Sequence, residues 1–240
     1  MFLFSPASPV RASTPDSSKV EHAWSKRYVA IGVRDIQHVV TFPARWHARD
    51  WKTFAFVSGG IIAVSFADKD IRSLSQRNRN QSTDKFARFM NSCGREVPFG
   101  IEGALYLGGE LFHNERAKAC GLDGLAASLI SSGLVCQAVK AVVGRERPYN
   151  ENGQYTFKPF TRHDSFPSGH TANAFALATV VSSHYHNTWI RIGAFSAAGL
   201  VAYARVNYDA HFASDVVTGA AIGFVVGKSV VALNRQLRKL

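Results

Sequence analysis

The sequence has few cysteines and no residue pattern typical of a metal site. Its three cysteines, Cys93, Cys120 and Cys136, are odd in number, and the last two lie in or beside apolar runs. Buried free thiols are the default interpretation, although one disulfide is an open alternative. No acidic cluster and no Cys/His spacing suits a metal ion. The residues therefore give no indication of a metal centre.

Long uncharged apolar runs are also missing, since none reaches 18 residues. A membrane-spanning helix needs about 20 mostly apolar residues, and the mean hydropathy of the chain is close to zero. Hydropathy alone therefore leaves both a membrane bundle and a soluble bundle open. The apolar runs are rich in Gly, Ala and Ser, which allow membrane helices to pack closely.

Acidic residues are scarce relative to basic ones, with 17 Asp and Glu against 28 Lys and Arg, for a formal net charge of +11. Such an excess is found in nucleic-acid-binding proteins. Here, however, the basic residues are scattered between apolar runs and form no recognised nucleic-acid module. Anionic lipid headgroups and phosphorylated substrates account for the sign of the charge, and we predict no nucleic-acid partner.

The apolar runs predict an all-α bundle of about six core helices within one domain. Residues 1–18 are Ser/Pro-rich, as in a tail or the remnant of a secretory signal, and residues 19–52 resemble an amphipathic segment. Residues 53–240 form the predicted helical domain. Residues 68–95 are predicted to be a loop with a short helix around 83–91. The predicted core helices cover residues 53–67, 99–112, 124–139, 171–183, 192–204 and 216–233.

Three clusters at the edges of these helices carry the groups that phosphate chemistry requires. The first contains Lys140 and Arg147, seven residues apart and followed by Pro148. If this segment is helical, the two cations lie on one face and can converge on one anion. Pro148 disfavours helical geometry at Arg147 and places it at or near the helix end.

The second cluster, Pro167-Ser168-Gly169-His170, predicts a turn that opens a helix, whose backbone N–H groups would face a bound anion. In the third cluster Arg205 precedes His211 and Asp215, which are four residues apart. On one helical face, the carboxylate would accept a hydrogen bond from one imidazole nitrogen. The other nitrogen would then be available as a nucleophile.

Taken together, the clusters resemble the signature of the type 2 phosphatidic acid phosphatase superfamily, which also contains bacterial non-specific acid phosphatases and vanadium-dependent haloperoxidases. The pattern is Lys-x6-Arg-Pro, then Pro-Ser-Gly-His, then Ser-Arg-x5-His-x3-Asp, and the resemblance covers roughly residues 100–230. One position departs from it, because Ala204 stands where the family has the Ser before the third-cluster Arg. The charged and nucleophilic positions are all kept.

The resemblance implies a role for each motif residue. Lys140, Arg147 and Arg205 would neutralise the phosphoryl oxygens, while Ser168 and the backbone N–H of Gly169 would donate hydrogen bonds to them. His211 would attack phosphorus, Asp215 would stabilise the charged imidazole, and His170 would protonate the leaving alkoxide and later activate water. This chemistry requires no metal and no other cofactor.

The expected function is hydrolysis of a phosphate monoester or diphosphate through a phosphohistidine, with a lipid as the expected substrate. If the last four helices span a bilayer, all motifs fall on one side and basic residues on the other, as expected for a bacterial inner membrane protein whose site faces the periplasm. The alternatives are a soluble periplasmic acid phosphatase, a vanadate-dependent haloperoxidase and a non-catalytic membrane protein. The substrate and the oligomeric state stay open.

Overall fold

The computed structural model describes residues 33–37, 41, 44 and 46–238. The predicted tail at residues 1–18 lies outside this part of the chain, and so does most of the predicted segment 19–52. The helices are α1 (Ala48–Phe66), α2 (Asp68–Arg77), α3 (Gln81–Arg95), α4 (Val97–Leu111), α5 (Glu115–Ser128), α6 (Cys136–Val143), α7 (Gly169–His184), α8 (Thr188–Asn207) and α9 (Ala213–Arg238). A π-helical stretch, Leu129–Val135, joins α5 to α6.

The centre of the bundle is the pair α7 and α9, which approach so closely that only glycine fits along one stripe of α9. A Cβ at Gly219 would lie 2.4 Å from the Ser168 carbonyl oxygen, and one at Gly223 would lie 2.2 Å from that of Ala172. Small residues allow such backbone contact between helices. This contact holds the beginning of α7 against the first turns of α9.

Two apolar clusters flank this pair. One includes Cys120, Ile130, Val180, Val226 and Val230, and joins α5 and the π-helical stretch to α7 and α9. The other packs Ala87 and Met90 of α3 against α7 and α8, and it contains Ala204. Since Ala204 is 1% exposed among alanines and Val201, the methyl group that replaces the family's serine is part of an apolar contact.

The all-α bundle and the predicted core helices are confirmed, and so is the short helix predicted around residues 83–91, which lies within α3. The loop predicted for the rest of residues 68–95 is wrong. That stretch forms α2 and α3, separated only by residues 78–80. Its polar composition reflects ion pairs rather than a loop: the Arg72 guanidinium donates to both carboxylate oxygens of Asp209 at 2.7 Å. Such tertiary contacts override the local preference of a polar sequence.

The outer surface is strongly apolar. None of the residues of α1 is buried, and its exposed side chains include Trp51, Phe54, Phe56, Ile62 and Phe66. Two helical segments, Glu115–Val143 and Ala213–Arg238, are long and apolar enough to cross a membrane. Exposed apolar surface on this scale is rare on water-soluble monomers and marks contact with lipid or protein.

Candidate active site

Lys140 and Arg147 converge, but not on one helical face as predicted. Helix α6 ends at Val143, and Gly144 follows with a φ of +56°. Only glycine fits at this position, because a Cβ there would lie 1.9 Å from the Lys158 carbonyl oxygen. Arg147 is therefore outside the helix, in extended backbone before Pro148. It reaches the same place as Lys140 by a turn of the chain, and both cations approach Asp164.

Ser168 and Gly169 stand at the beginning of α7, as predicted. Ser168 is the N-cap residue, and Gly169 is the first residue of the helix. The Ser168 backbone N–H donates to the Asp215 carbonyl oxygen at 3.0 Å, and the Thr171 hydroxyl donates to Ser168 Oγ at 3.0 Å. The positive end of the α7 dipole is thereby fixed beside the first turn of α9.

His211 is buried, with 2% of its surface exposed, and it differs from the prediction in its hydrogen bond. Its Nδ1 lies 2.7 Å from the Ser165 carbonyl oxygen but 3.7 Å from Asp215 Oδ2, which is too long for a hydrogen bond. The reason is that α9 begins only at Ala213, so His211 and Asp215 do not share a helical face. Because a carbonyl can only accept, Nδ1 carries the proton and Nε2 keeps its lone pair.

Asp215 is fully buried and bound from several sides. Its Oδ1 accepts from Arg145 at 2.6 Å, and its Oδ2 accepts from the Ser165 hydroxyl at 2.6 Å and from the Phe212 backbone N–H at 2.9 Å. These bonds fix the carboxylate next to the His211 ring. Asp215 therefore supplies a fixed negative charge to the imidazole rather than a direct hydrogen bond.

Behind Asp215 lies a second buried carboxylate, Asp68, at the start of α2. Arg145 bridges the two, since its second terminal nitrogen donates to Asp68 Oδ2 at 2.8 Å. Ser214 donates to Asp68 through both its backbone N–H, at 2.8 Å, and its hydroxyl, at 2.5 Å. All charges in this network are 0–2% exposed, so each depends on its partners for solvation.

Arg205 is 4% exposed at the end of α8. One terminal nitrogen donates to the Asn91 side-chain oxygen of α3. Its Nε finds no acceptor within residues 46–238 or the other described positions, so that N–H can donate to a substrate oxygen. On the same side, Gly94 of α3 approaches His170 so closely that a Cβ would lie 3.0 Å from the His170 Cβ.

The predicted phosphate ligands and both histidines meet in one place. His170 interacts electrostatically with Arg205, His211, Lys140 and Arg147, and Asp164 does so with Arg147, Lys140 and His211. Burial lowers the pKa of His211 to about 4, against the opposing effect of Asp215. In the structure, His211 is consequently a neutral base at pH 7.

Residues 122–239, which contain all eight predicted site residues, match the PAP2 superfamily. The chain belongs to the PAP2 superfamily.

Among PAP2 relatives, the lipid A 1-phosphatase of Porphyromonas gingivalis is 38% identical over 193 residues, which are 76% of this chain and 39% of that protein. The lipid A 1-phosphatase of Rhizobium etli is 33% identical over 107 residues, covering 41% of this chain and 44% of that protein. The chain thus spans about two fifths of the length of these curated relatives.

Two crystal structures have the same fold. Aquifex aeolicus LpxE has a TM-score of 0.53 and 25% sequence identity, and the match covers 68% of this chain and 93% of that one. The transmembrane PAP2 type phosphatidylglycerolphosphate phosphatase of Bacillus subtilis has a TM-score of 0.60 and 23% sequence identity. This match covers 78% of the present chain and 94% of that one. The candidate spans and exposed apolar faces of the present chain are likewise those of a membrane protein.

The loop between the first two PAP2 motifs reaches the site through Asp164, which pairs with Lys140 and Arg147. Two of its aromatic residues anchor it to the bundle: the Tyr155 hydroxyl donates to the Ser65 carbonyl oxygen at 3.2 Å, and the Arg145 guanidinium lies 5.6 Å from the Phe157 ring centre. Phe160, by contrast, is 82% exposed. Of the three aromatics predicted as lipid contacts or anchors, Phe160 has the largest surface available to a lipid.

Several residues that shape this PAP2 site escaped the sequence prediction. Asp164 pairs with both cations of the first motif, Arg145 and Asp68 hold Asp215, the Ser165 carbonyl holds His211, and Asn91 holds Arg205. The only sequence signal was proximity, since Arg145, Asp164 and Ser165 stand beside the motifs. Asp68 is 77 residues from Arg145 and Asn91 is 114 residues from Arg205, and neither gave a signal in the sequence.

Proposed function

We propose that this chain is a metal-independent phosphatase that hydrolyses the phosphate monoester or diphosphate of a membrane lipid through a phosphohistidine intermediate. The observation that carries the proposal is the convergence of three cations, Lys140, Arg147 and Arg205, around two histidines, one in the first turn of α7 and one just before α9. Phosphoryl transfer demands little covalent chemistry from a protein beyond such positioning and charge neutralisation. Protein cations supply the neutralisation here.

His211 is the nucleophile in this proposal. Its Nδ1 proton is committed to the Ser165 carbonyl oxygen at 2.7 Å, so the Nε2 lone pair attacks phosphorus in line with the leaving oxygen. The P–O bond to the lipid breaks as the N–P bond forms. Asp215, 3.7 Å from Nδ1, stabilises the positive charge that the phosphorylated imidazole acquires.

His170 is the general acid and then the general base. It stands in the first turn of α7, beside the N-terminus that would bind the phosphoryl oxygens. It gives its proton to the departing alkoxide, then takes one from the water that hydrolyses the phosphohistidine. One residue thus serves both halves of the reaction, because the second half reverses the direction of proton transfer.

A lipid substrate is favoured by the surroundings of the site. The motifs lie at one end of a bundle whose outer faces are apolar, so an amphiphile in the bilayer can present its phosphate to the site without leaving the membrane. Several relatives are lipid A 1-phosphatases or 4'-phosphatases. We therefore propose the phosphate of a glycolipid of the lipid A class as the first substrate to test.

The proposed location is the inner membrane, with the site on the periplasmic face. The end of the bundle opposite to the motifs carries Arg116, Arg191 and Arg235, in agreement with the excess of basic residues on cytoplasmic loops. Lys118 and Arg238 belong to the same end, although they pair with Glu110 and Asp123.

The test is phosphate release by the purified full-length chain in excess EDTA, with lipid A, phosphatidic acid, an isoprenyl diphosphate and a soluble aryl phosphate as substrates. We expect a lipid to give the highest kcat/KM, and His211→Ala to lower it at least about a thousandfold. His186→Ala, at the far end of α7, is the matched control and should keep full activity. Full activity of His211→Ala would refute the mechanism.

A higher kcat/KM for the soluble ester, together with release of the protein by osmotic shock, would refute the lipid assignment but not the chemistry.

A further inference from the structure

A second concentration of positive charge lies at the end of the bundle opposite to the catalytic motifs. It lines a cavity of about 370 Å³ between the end of α7, the beginning of α8 and the last turns of α9. Three cations, one imidazole and two aromatic rings form much of its wall: Arg191, Lys228, Arg235, His186, Phe195 and Phe224. We define these six residues as the basic pocket.

The charge of the basic pocket is uncompensated within the described part of the chain. No carboxylate is among the side chains that line it, and none of the described ion pairs involves Arg191, Lys228 or Arg235. Two other basic residues at this end differ, because Lys118 binds Glu110 at 2.7 Å and Arg238 binds Asp123. The pocket therefore has the electrostatic character of an anion site.

Helix contacts hold the pocket in shape. Lys228 Nζ and an Arg235 terminal nitrogen both donate to Ser183, to its hydroxyl and its carbonyl oxygen respectively. The rings of Phe195 and Phe224 pack with centroids 6.3 Å apart, and Lys228 Nζ lies 5.8 Å from the Phe224 ring centre. Cations and aromatic surface are thus adjacent, and Phe224 is 44% exposed on the outer face of α9.

The depth of the pocket matches the headgroup layer. Arg235 follows Asp215 by 20 residues of continuous helix, which corresponds to about 30 Å along the axis, the thickness of the hydrocarbon core of a bilayer. If the catalytic end lies at one surface of a bilayer, the pocket lies near the other surface. Trp46, Trp51 and Phe54 form an aromatic cluster at the start of α1, whereas the end of α1 contacts the loop of the catalytic site through Ser65.

We infer that the basic pocket binds the phosphate group of an anionic phospholipid from the leaflet opposite to the catalytic site. The cations would neutralise the phosphate, while Phe224 would contact the first carbons of an acyl chain. Basic pockets between membrane helices bind anionic headgroups by this combination of charge and shape. The bound lipid would join α7, α8 and α9 at the end where no substrate holds them together.

The test measures binding of phosphatidylglycerol to the full-length chain in detergent by native mass spectrometry. The double variant Arg191→Gln, Lys228→Gln should bind about 25-fold more weakly, since each cation near an anionic headgroup contributes roughly fivefold in affinity. The control Arg116→Gln removes an exposed charge from the same end outside the pocket and should bind as the unchanged protein does. Equal affinity of the double variant and this control would overturn the inference.

Two further arms separate the possible ligands from each other. Phosphatidylcholine should bind no better to the unchanged protein than to the double variant, because its phosphate is already paired with choline. Soluble glycerol phosphate that displaces phosphatidylglycerol at equal concentration would show that the pocket takes a free phosphate ester, and would overturn the lipid assignment.

Phosphatase activity on a soluble ester reports on folding and on the proposed catalytic function independently of this pocket. It should be unchanged in the double variant. If the double variant misfolds, Arg191→Gln alone keeps the test open, with an expected loss of about fivefold.

Discussion

Arg147 and Asp164 form a two-point ion pair, with Nε and a terminal nitrogen each donating to a different carboxylate oxygen at 2.7 Å. Lys140 Nζ lies 3.6 Å from the same carboxylate. Burial alone would raise the pKa of Asp164, but the hydrogen bonds and charge of Arg147, together with Lys140, lower it to about 2. Two cations proposed to bind phosphate therefore already share a permanent anion.

Replacing this anion should strengthen phosphate binding. In Asp164→Asn the side chain keeps its shape but loses the charge that repels a phosphate and competes for Arg147. We expect the inhibition constant of inorganic phosphate to fall about five- to tenfold, since the carboxylate is half exposed and the repulsion is screened.

The measurement is product inhibition by phosphate at neutral pH, with Asp70→Asn as a control for an exposed aspartate outside the site. If the inhibition constant instead rises in Asp164→Asn, Asp164 positions Arg147 for substrate rather than competing with it.

Loss of His170 should affect the two half-reactions differently. When the substrate is nitrophenyl phosphate, the nitrophenolate leaves without protonation, whereas hydrolysis of the phosphohistidine still needs a base. His170→Ala should therefore release one equivalent of nitrophenol per enzyme in a rapid burst and then turn over about a hundredfold or more slowly. Stopped-flow absorbance measures the burst, and acid-labile phosphate on the protein measures the intermediate. A uniform loss of both phases would contradict the assignment.

The buried bridge from Arg145 to Asp68 and Asp215 should be essential for stability. Asp68→Asn, at a site that is 0% exposed, leaves Arg145 with Asp215 as its one buried carboxylate and turns one of the two oxygens that accept from Arg145 and Ser214 into an NH2 group. We expect a loss of about 3 kcal/mol in the free energy of unfolding. Asp70→Asn, two residues later on the same helix and exposed, should change it by less than about 0.5 kcal/mol. Unfolding by denaturing detergent gives both values, and equal effects would contradict the role of the bridge.

The contact between α7 and α9 should not tolerate a methyl group. Gly223→Ala would place a Cβ 2.2 Å from the Ala172 carbonyl oxygen and 2.8 Å from the Ala176 nitrogen, costing about 1–3 kcal/mol through overpacking. Gly199→Ala in α8 has nothing within 4 Å of its Cβ. It should be neutral or stabilising by up to about 1 kcal/mol. Thermal unfolding in detergent compares the two variants.

His211 should make stability depend on pH in the acid range. Its folded pKa of about 4 lies below the unfolded value near 6.5, so the unfolded chain binds more protons between these values. Stability is therefore highest above pH 6.5 and falls as the pH decreases to 4, by about 3 kcal/mol for this group. His211→Gln should flatten the decline in this window, which unfolding curves at several pH values measure. An unchanged slope would contradict the buried neutral imidazole.

The sequence was sufficient to predict which residues meet at the site, because the three motifs carry their chemistry in side-chain type and spacing. It did not predict how His211 is held. Four-residue spacing pointed to Asp215, but the chain enters α9 only at Ala213, which turns Nδ1 towards the Ser165 carbonyl oxygen instead. The Asp215 carboxylate accepts from the Phe212 N–H at the start of α9 and is held from outside the helix by Arg145 and Ser165. Four-residue spacing alone does not record these contacts.

The sequence also did not predict which residues distant along the chain hold the site residues in place. Asp68 lies 77 residues from Arg145 and Asn91 lies 114 residues from Arg205, and nothing in their local sequence distinguishes them from solvated polar residues. For the same reason, the polar residues of 68–95 outside the predicted short helix were predicted to be a loop, whereas ion pairs and burial stabilise them as helices.

The Asp68 bridge also means that the three motifs are not a self-sufficient catalytic unit. A fragment starting after α2 would keep every motif and the whole matched region, residues 122–239, yet it would lose the Asp68 carboxylate that binds Arg145 and Ser214. Truncations or domain transplants designed from motif boundaries should therefore give inactive protein unless the corner between α1 and α2 is carried along.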